Sequence, residues 1–259
     1  MKKIVKIVAL VLIIGAVCSY FGIKTLDDVM PAVNSVGNYV QEVAGNYSTN
    51  AAVLSGNFAL SKIPEFDNNP YVIINDNKPF FESDEKYSTE AFENYSELDS
   101  LGRCGAAYAN ICTELMPTEE RGEIGSIKPT GWHSVKYDFV DGKYLYNRCH
   151  LIGFQLAGEN ANKKNLITGT RYLNVEGMLP FENMIADYVK ETDNHVLYRV
   201  TPIFNPLELV ARGVLMEAYS VEDEGDGICF CVYCYNNQPG VNINYLTGES
   251  SLATEGANE

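Results

Sequence analysis

Three runs rich in β-branched and aromatic residues constrain the fold most: Val196 to Ile203, Leu209 to Val221 and Ile228 to Asn236. Each reads as a strand. Just before them, Pro180 to Lys190 reads as a helix. Proline suits the first helical turn, and Phe181, Met184, Ile185, Tyr188 and Val189 form one apolar stripe. Further upstream, Tyr71 to Ile74 reads as a strand ended by the turn-forming Asn75-Asp76-Asn77. Trp132 to Phe139 and Lys143 to Tyr146 read as a hairpin around Asp141-Gly142. Segregated strands and helices point to an α+β fold with a mostly antiparallel sheet.

A different kind of segment precedes this pattern. Lys2, Lys3 and Lys6 lead into an apolar run from Ile7 to Ile23. Residues 1–23 are expected to be a signal peptide or a membrane anchor. Basic flanks stay in the cytoplasm, so the rest of the chain is expected outside it, secreted or held on the outer face of the cytoplasmic membrane. Residues 24–62 read as a stalk, 63–248 as the globular domain, and 249–259 as a loose polar tail. The outside permits disulfides, so the seven cysteines could be paired, free and buried, or zinc-bound. Strand alternation argues against zinc at Cys229, Cys231 and Cys234, because Cys234 faces away from the other two.

The stretch from Tyr144 to Asn174 carries the chemistry. A strand ends in Asn147-Arg148-Cys149-His150. A loop rich in Asn and Lys follows, with Asn162-Lys163-Lys164-Asn165-Leu166, and then a helical piece with Thr170-Arg171-Tyr172-Leu173-Asn174. An imidazole titrates near neutrality and can take a proton from water. A hard cation such as magnesium takes oxygen ligands and keeps several waters. A guanidinium can hold phosphate oxygens as charge builds. Those residue types suit phosphodiester hydrolysis. His133 and His195 lack such surroundings and read as surface or satisfied side chains.

This stretch resembles the DNA/RNA non-specific endonuclease family, whose core is the ββα-metal, or His-Me, finger, and within it the DNA-entry nuclease branch. The family signature Asp-Arg-Gly-His reads Asn147-Arg148-Cys149-His150 here, so Asn147 and Cys149 are departures. Gly169 is a third, standing where several relatives carry a polar residue. The resemblance implies a ββα finger core and the following roles. His150 is the general base, with Arg148 and Asn165 in the catalytic set. Asn174 and Glu182 serve the metal, Glu182 through a bound water. Lys163, Lys164 and Arg171 bind substrate. The implied ion is Mg2+, with Mn2+ as its substitute. The implied substrate is DNA, and RNA beside it, cut without sequence preference. The membrane is a further partner if the N-terminal segment stays uncleaved.

Net charge opposes this reading. The chain carries −15 overall, whereas nucleic-acid binders usually neutralise phosphates. From Lys128 to Arg171, however, seven Lys and Arg face only Asp138, Asp141 and Glu159, a local surplus of +4. A basic site on an acidic body is the expected compromise. Two other readings compete: an extracellular DNA-binding module with weak or lost catalysis, and a structural envelope protein. The second leaves the Asn-Arg-Cys-His stretch unexplained.

Overall fold

The computed structural model describes residues 63–253. The leader and stalk expected over residues 1–62 lie outside the described residues. Among the described residues no helix is long and apolar enough to cross a membrane.

The three runs that dominate the sequence form the centre of a six-stranded sheet. They are β6 (Val196–Ile203), β7 (Gly213–Ser220) and β8 (Cys229–Tyr235). With β1 (Tyr71–Ile73), β2 (Phe92–Tyr95) and β3 (Ala107–Ile111), the order is β1-β8-β7-β6-β3-β2. Every neighbouring pair is antiparallel. All eight residues of β6 are buried, so both faces of the sheet centre are covered.

One face carries Tyr198, Val200, Val214, Met216, Phe230, Val232 and Cys234, which pack with Leu151, Ile152, Leu173, Met178, Ile185 and Val189. The opposite face carries Leu215, Cys231 and Tyr233, covered by Ile63, Phe66, Val72, Ile74 and Phe80. Cys231 and Cys234 therefore do lie on opposite faces. The six described cysteines are all free. On the second face Arg199 and Glu217 sit opposite each other in register and form a buried ion pair at 2.8 Å. Glu217 also accepts from the Phe80 N–H at 2.8 Å.

The first face holds a ββα unit. Strands β4 (Tyr146–His150) and β5 (Leu166–Thr170) pair as a separate antiparallel hairpin. A one-turn helix, α1 (Phe154–Ala157), lies in the connection between them. After β5 the chain turns helical, passes through a π-helical turn at Leu173–Met178 and continues as α2 (Leu179–Thr192). Thr170 starts the helix, its hydroxyl accepting from the Leu173 N–H at 2.9 Å. The buried side chain of Asn236 ties the unit to the end of β8. Its Oδ1 accepts from the Thr170 N–H at 2.8 Å and its Nδ2 donates to Thr168 O at 3.0 Å.

Four expectations need correction. The run from Leu209 to Arg212 is not strand, because the Leu209 and Val210 amides both turn to Tyr245 O. The two arms around Asp141-Gly142 do run antiparallel, but over a short stretch: one bridge joins Lys136 and Tyr144, flanked by the Tyr137 N–H to Lys143 O and Leu145 N–H to Val135 O bonds, and from Tyr146 the chain pairs with β5 instead. Met184 belongs to the helical stripe by spacing yet is 48% exposed, whereas Phe181, Ile185, Tyr188 and Val189 pack into the core beneath the sheet. The tail is not loose from its start: β9 (Val241–Ile243) pairs with β10 (Ser250–Leu252).

Candidate active site

The site gathers where β4 ends. Alternation along β4 sends Asn147 and Cys149 to one side and Arg148 and His150 to the other. On the first side stands Asn174, in the π-helical turn. Its Oδ1 accepts from Cys149 Sγ at 3.2 Å, and its Nδ2 donates to Asn147 Oδ1 at 3.3 Å. Single π turns within α-helices recur at functional positions. The Cys149 thiol stays protonated, because burial and then the Glu182 charge both raise its pKa well above the ordinary range. It can therefore act as a donor.

On the second side His150 is 7% exposed. Its Nε2 lies 2.8 Å from the carbonyl oxygen of Asn160, and its Nδ1 lies 3.4 Å from Nη2 of Arg121. A carbonyl only accepts and a guanidinium only donates. The proton is thus on Nε2 and the lone pair on Nδ1. Burial lowers the pKa of His150, the Asn160 carbonyl opposes that shift, and Arg121 adds to the lowering. The neutral, proton-accepting form is favoured.

Glu182 sits in the first turn of α2 and is 8% exposed. Burial pushes its pKa up to about 7, against the Gly153 N–H and Arg121, which both lower it. Arg121 thus acts electrostatically on His150, Cys149 and Glu182 alike. Gly153 makes the close approach possible: a Cβ there would lie 2.8 Å from the carboxyl carbon of Glu182.

The other expected residues have different surroundings. Asn165 is fully buried and closes a two-way bond with Ile152, accepting from its N–H at 2.9 Å and donating to its carbonyl at 3.0 Å. It holds the backbone just after His150, and its hydrogen bonds go to Ile152 rather than to the imidazole. Arg148 donates to the carbonyls of Ile127 and Gly125 and lies 4.2 Å above the Trp132 ring. It anchors the loop that follows Arg121. Lys163 is exposed. Lys164 is paired with Glu97 at 2.5 Å, and Arg171 with Asp141 at 2.7 Å. His133 bonds Thr247 O and His195 pairs with Glu222, as satisfied side chains do. Two sequence departures also meet: a Cβ at Gly169 would lie 2.6 Å from Cys149 Cβ. The larger residue at 149 needs the smaller one at 169.

Arg121 and Gly153 escaped the sequence reading. Arg121 follows Glu119-Glu120 in an acidic loop with no periodic signal. Only the folded chain brings it to His150.

Residues 83–222, more than half of the chain, match the family described as DNA/RNA non-specific endonuclease. The chain belongs to that family. It is 36% identical over 118 residues to a deoxyribonuclease of Streptococcus dysgalactiae subsp. equisimilis, an alignment covering 43% of this chain and 34% of that protein. The chain thus spans about a third of the length of that curated relative. Among solved structures it resembles NucA from Streptococcus agalactiae with no metal bound (TM-score 0.64, 24% identity, 80% of this chain and 96% of that one). A magnesium-bound NucA structure matches at TM-score 0.64 and 23% identity, over 80% and 97% of the two chains. At such identity these two likenesses are of fold. The Sda1 nuclease with bound zinc matches at TM-score 0.57 and 26% identity, over 72% of this chain and 97% of that one.

Proposed function

We propose that this chain is a metal-dependent endonuclease that hydrolyses phosphodiester bonds of DNA, and RNA beside it, without sequence preference, with His150 as general base and one magnesium ion. The observation that carries the proposal is the fixed tautomer of His150: a neutral imidazole, tied at Nε2 and offering Nδ1 next to a cation.

The donor chemistry fits a hard cation. Among the described residues no three His, Cys, Asp or Glu side chains converge as a metal cluster. A site here must use few protein ligands, with waters and phosphate completing the shell, as magnesium prefers. Asn174 and Glu182 are the residues that would hold it, the first by an amide oxygen and the second through water. A buried carboxylate pushed up to about 7 also gains from a nearby cation. When bound, the ion would stabilise charge on the phosphate and the leaving oxygen; manganese could take its place.

The chain's own residues do the rest. His150 Nδ1 takes a proton from the attacking water while the Asn160 carbonyl keeps the ring oriented through Nε2. Arg121 turns from the imidazole to a phosphate oxygen once substrate enters, a charge-assisted bond that strengthens as charge builds. Arg148 holds the loop after Arg121, and Asn165 holds the chain after His150. The basic surplus from Lys128 to Arg171 draws the polyanion, with a strong salt dependence. The basic and apolar N-terminus supports work outside the cytoplasm.

The test is cleavage of plasmid by purified wild type and His150→Ala, with magnesium and with a chelator. General-base catalysis contributes about 10²–10⁴ in rate, so the folded variant should lose that much and still bind DNA. Chelator should stop the wild type. A folded His150→Ala that cuts at the wild-type rate refutes the assignment. A wild type that binds DNA but stays inert with every divalent ion would favour the binding-module reading.

A further inference from the structure

Asn147 stands where the family signature has Asp, and the substitution creates a problem that the structure resolves. A carboxylate accepts hydrogen bonds at both oxygens. A carboxamide accepts at one end and donates at the other, and the two ends can exchange by a flip. The side chain at 147 faces the Asn174 amide, which has the same ambiguity. Two adjacent carboxamides left to themselves have no fixed polarity. Only one polarity leaves the Asn174 oxygen available to a cation.

Arg171 removes the ambiguity. Its guanidinium is donor-only. Nη1 lies 3.4 Å from Asn147 Oδ1, while Nε and Nη2 donate to Asp141 Oδ2 at 3.0 and 2.7 Å. The oxygen of Asn147 must therefore face Arg171, and the same oxygen accepts from Asn174 Nδ2 at 3.3 Å. That places the Asn174 –NH2 toward Asn147 and its carbonyl oxygen on the other side. There the Cys149 thiol lies 3.2 Å away and can donate to it, which is compatible with that polarity, though a thiol, able to accept as well, does not impose it. An amide oxygen has two lone pairs, so one remains for a cation.

We propose that Arg171 and Asn147 are positioning residues that set the orientation of the Asn174 amide, and so the metal affinity of the site, through the relay Asp141–Arg171–Asn147–Asn174. The proposal rests on the reading of Asn174 as a metal ligand. It gives Arg171 a role distinct from contact with substrate phosphate.

The signs separate the possibilities. By charge alone, removing Arg171 should tighten cation binding, because a positive charge is lost. The relay requires the opposite. The experiment is direct Mn2+ binding to the full chain, followed by the electron paramagnetic resonance signal of free Mn2+, with no nucleic acid present. Arg171→Met and Asn147→Leu should each weaken Mn2+ binding by about 10–100-fold, the usual effect of losing an outer partner of a ligand. Asn147→Asp accepts at both oxygens and needs no flip control. In that background Arg171→Met should weaken Mn2+ binding by no more than about 3-fold, far short of the loss expected of an outer partner. Melting temperatures without metal check that each variant folds.

Unchanged or tighter Mn2+ binding by folded Arg171→Met overturns the relay, as does an equal loss in both backgrounds. If affinity for Mn2+ is unchanged and only KM for DNA rises, Arg171 is a substrate contact instead. A wild type that binds no Mn2+ overturns the metal reading itself, and the relay with it.

Discussion

Replacing Gly153 by Ala tests whether the position of the Glu182 carboxylate matters. Gly153 has φ −59° and ψ 144°, which alanine adopts freely, so the backbone is not strained. The added Cβ would lie 2.8 Å from the carboxyl carbon, 2.8 Å from Oε2 and 2.9 Å from Oε1 of Glu182. Ordinary carbon–carbon contact begins at about 3.5 Å, so the carboxylate must retreat by roughly 0.7 Å. Glu182 is buried, and its neighbours must yield with it. Overpacking of this kind costs about 1–3 kcal/mol, partly offset by about 0.4–1 kcal/mol from the stiffer unfolded chain. The variant should fold with a modestly lower melting temperature. A displacement approaching 1 Å costs about 10²-fold in turnover where reacting groups must be aligned. Initial plasmid-cleavage rates at saturating magnesium should fall by that order. In a Glu182→Ala background the same substitution should cost little more, since the side chain it displaces is gone. Wild-type turnover in Gly153→Ala would refute the reasoning, and so would a full second loss in the Glu182→Ala background.

Two further expectations concern pH and stability. The lowered pKa of His150 keeps its imidazole neutral to below the ordinary value of about 6.5. At saturating magnesium, where a bound cation keeps the Glu182 carboxylate ionised, the acid limb of kcat/KM should therefore fall below pH 6.5 and disappear from the residual rate of His150→Ala; a limb centred above 7 that vanishes with His150 would contradict the burial argument. Glu217→Ala strands the guanidinium of Arg199 beneath Phe81 and Tyr108, so denaturant unfolding should show a loss of about 3–5 kcal/mol. A loss under 1 kcal/mol would mean that water reaches Arg199 in the folded protein.

Local patterning made part of this protein legible. The runs at 196–203 and 228–236 could only be strands, because β-branched and aromatic side chains crowd there between turn residues. Pro180 and the spacing of Phe181, Ile185 and Val189 announced α2. The order Asn147-Arg148-Cys149-His150, an Asn-rich loop, then Asn174 made the family resemblance and the candidate site visible, because these residues lie close along the chain. What local sequence could not reveal depends on contacts between distant segments. Met184 has the spacing of a core residue, but only the position of the sheet decides which helix face is covered. Arg148 and Arg121 are equally cationic on paper. The fold commits the first to the carbonyls of Gly125 and Ile127 and brings the second to His150. Gly153 looks like any loop glycine until Glu182 arrives from the following helix. The hydrogen-bond polarity of Asn147 and Asn174 is likewise undetermined by composition, since a carboxamide can present either end. It is decided by Arg171, a donor with nothing to accept, which the turn from β5 into the helix places beside them.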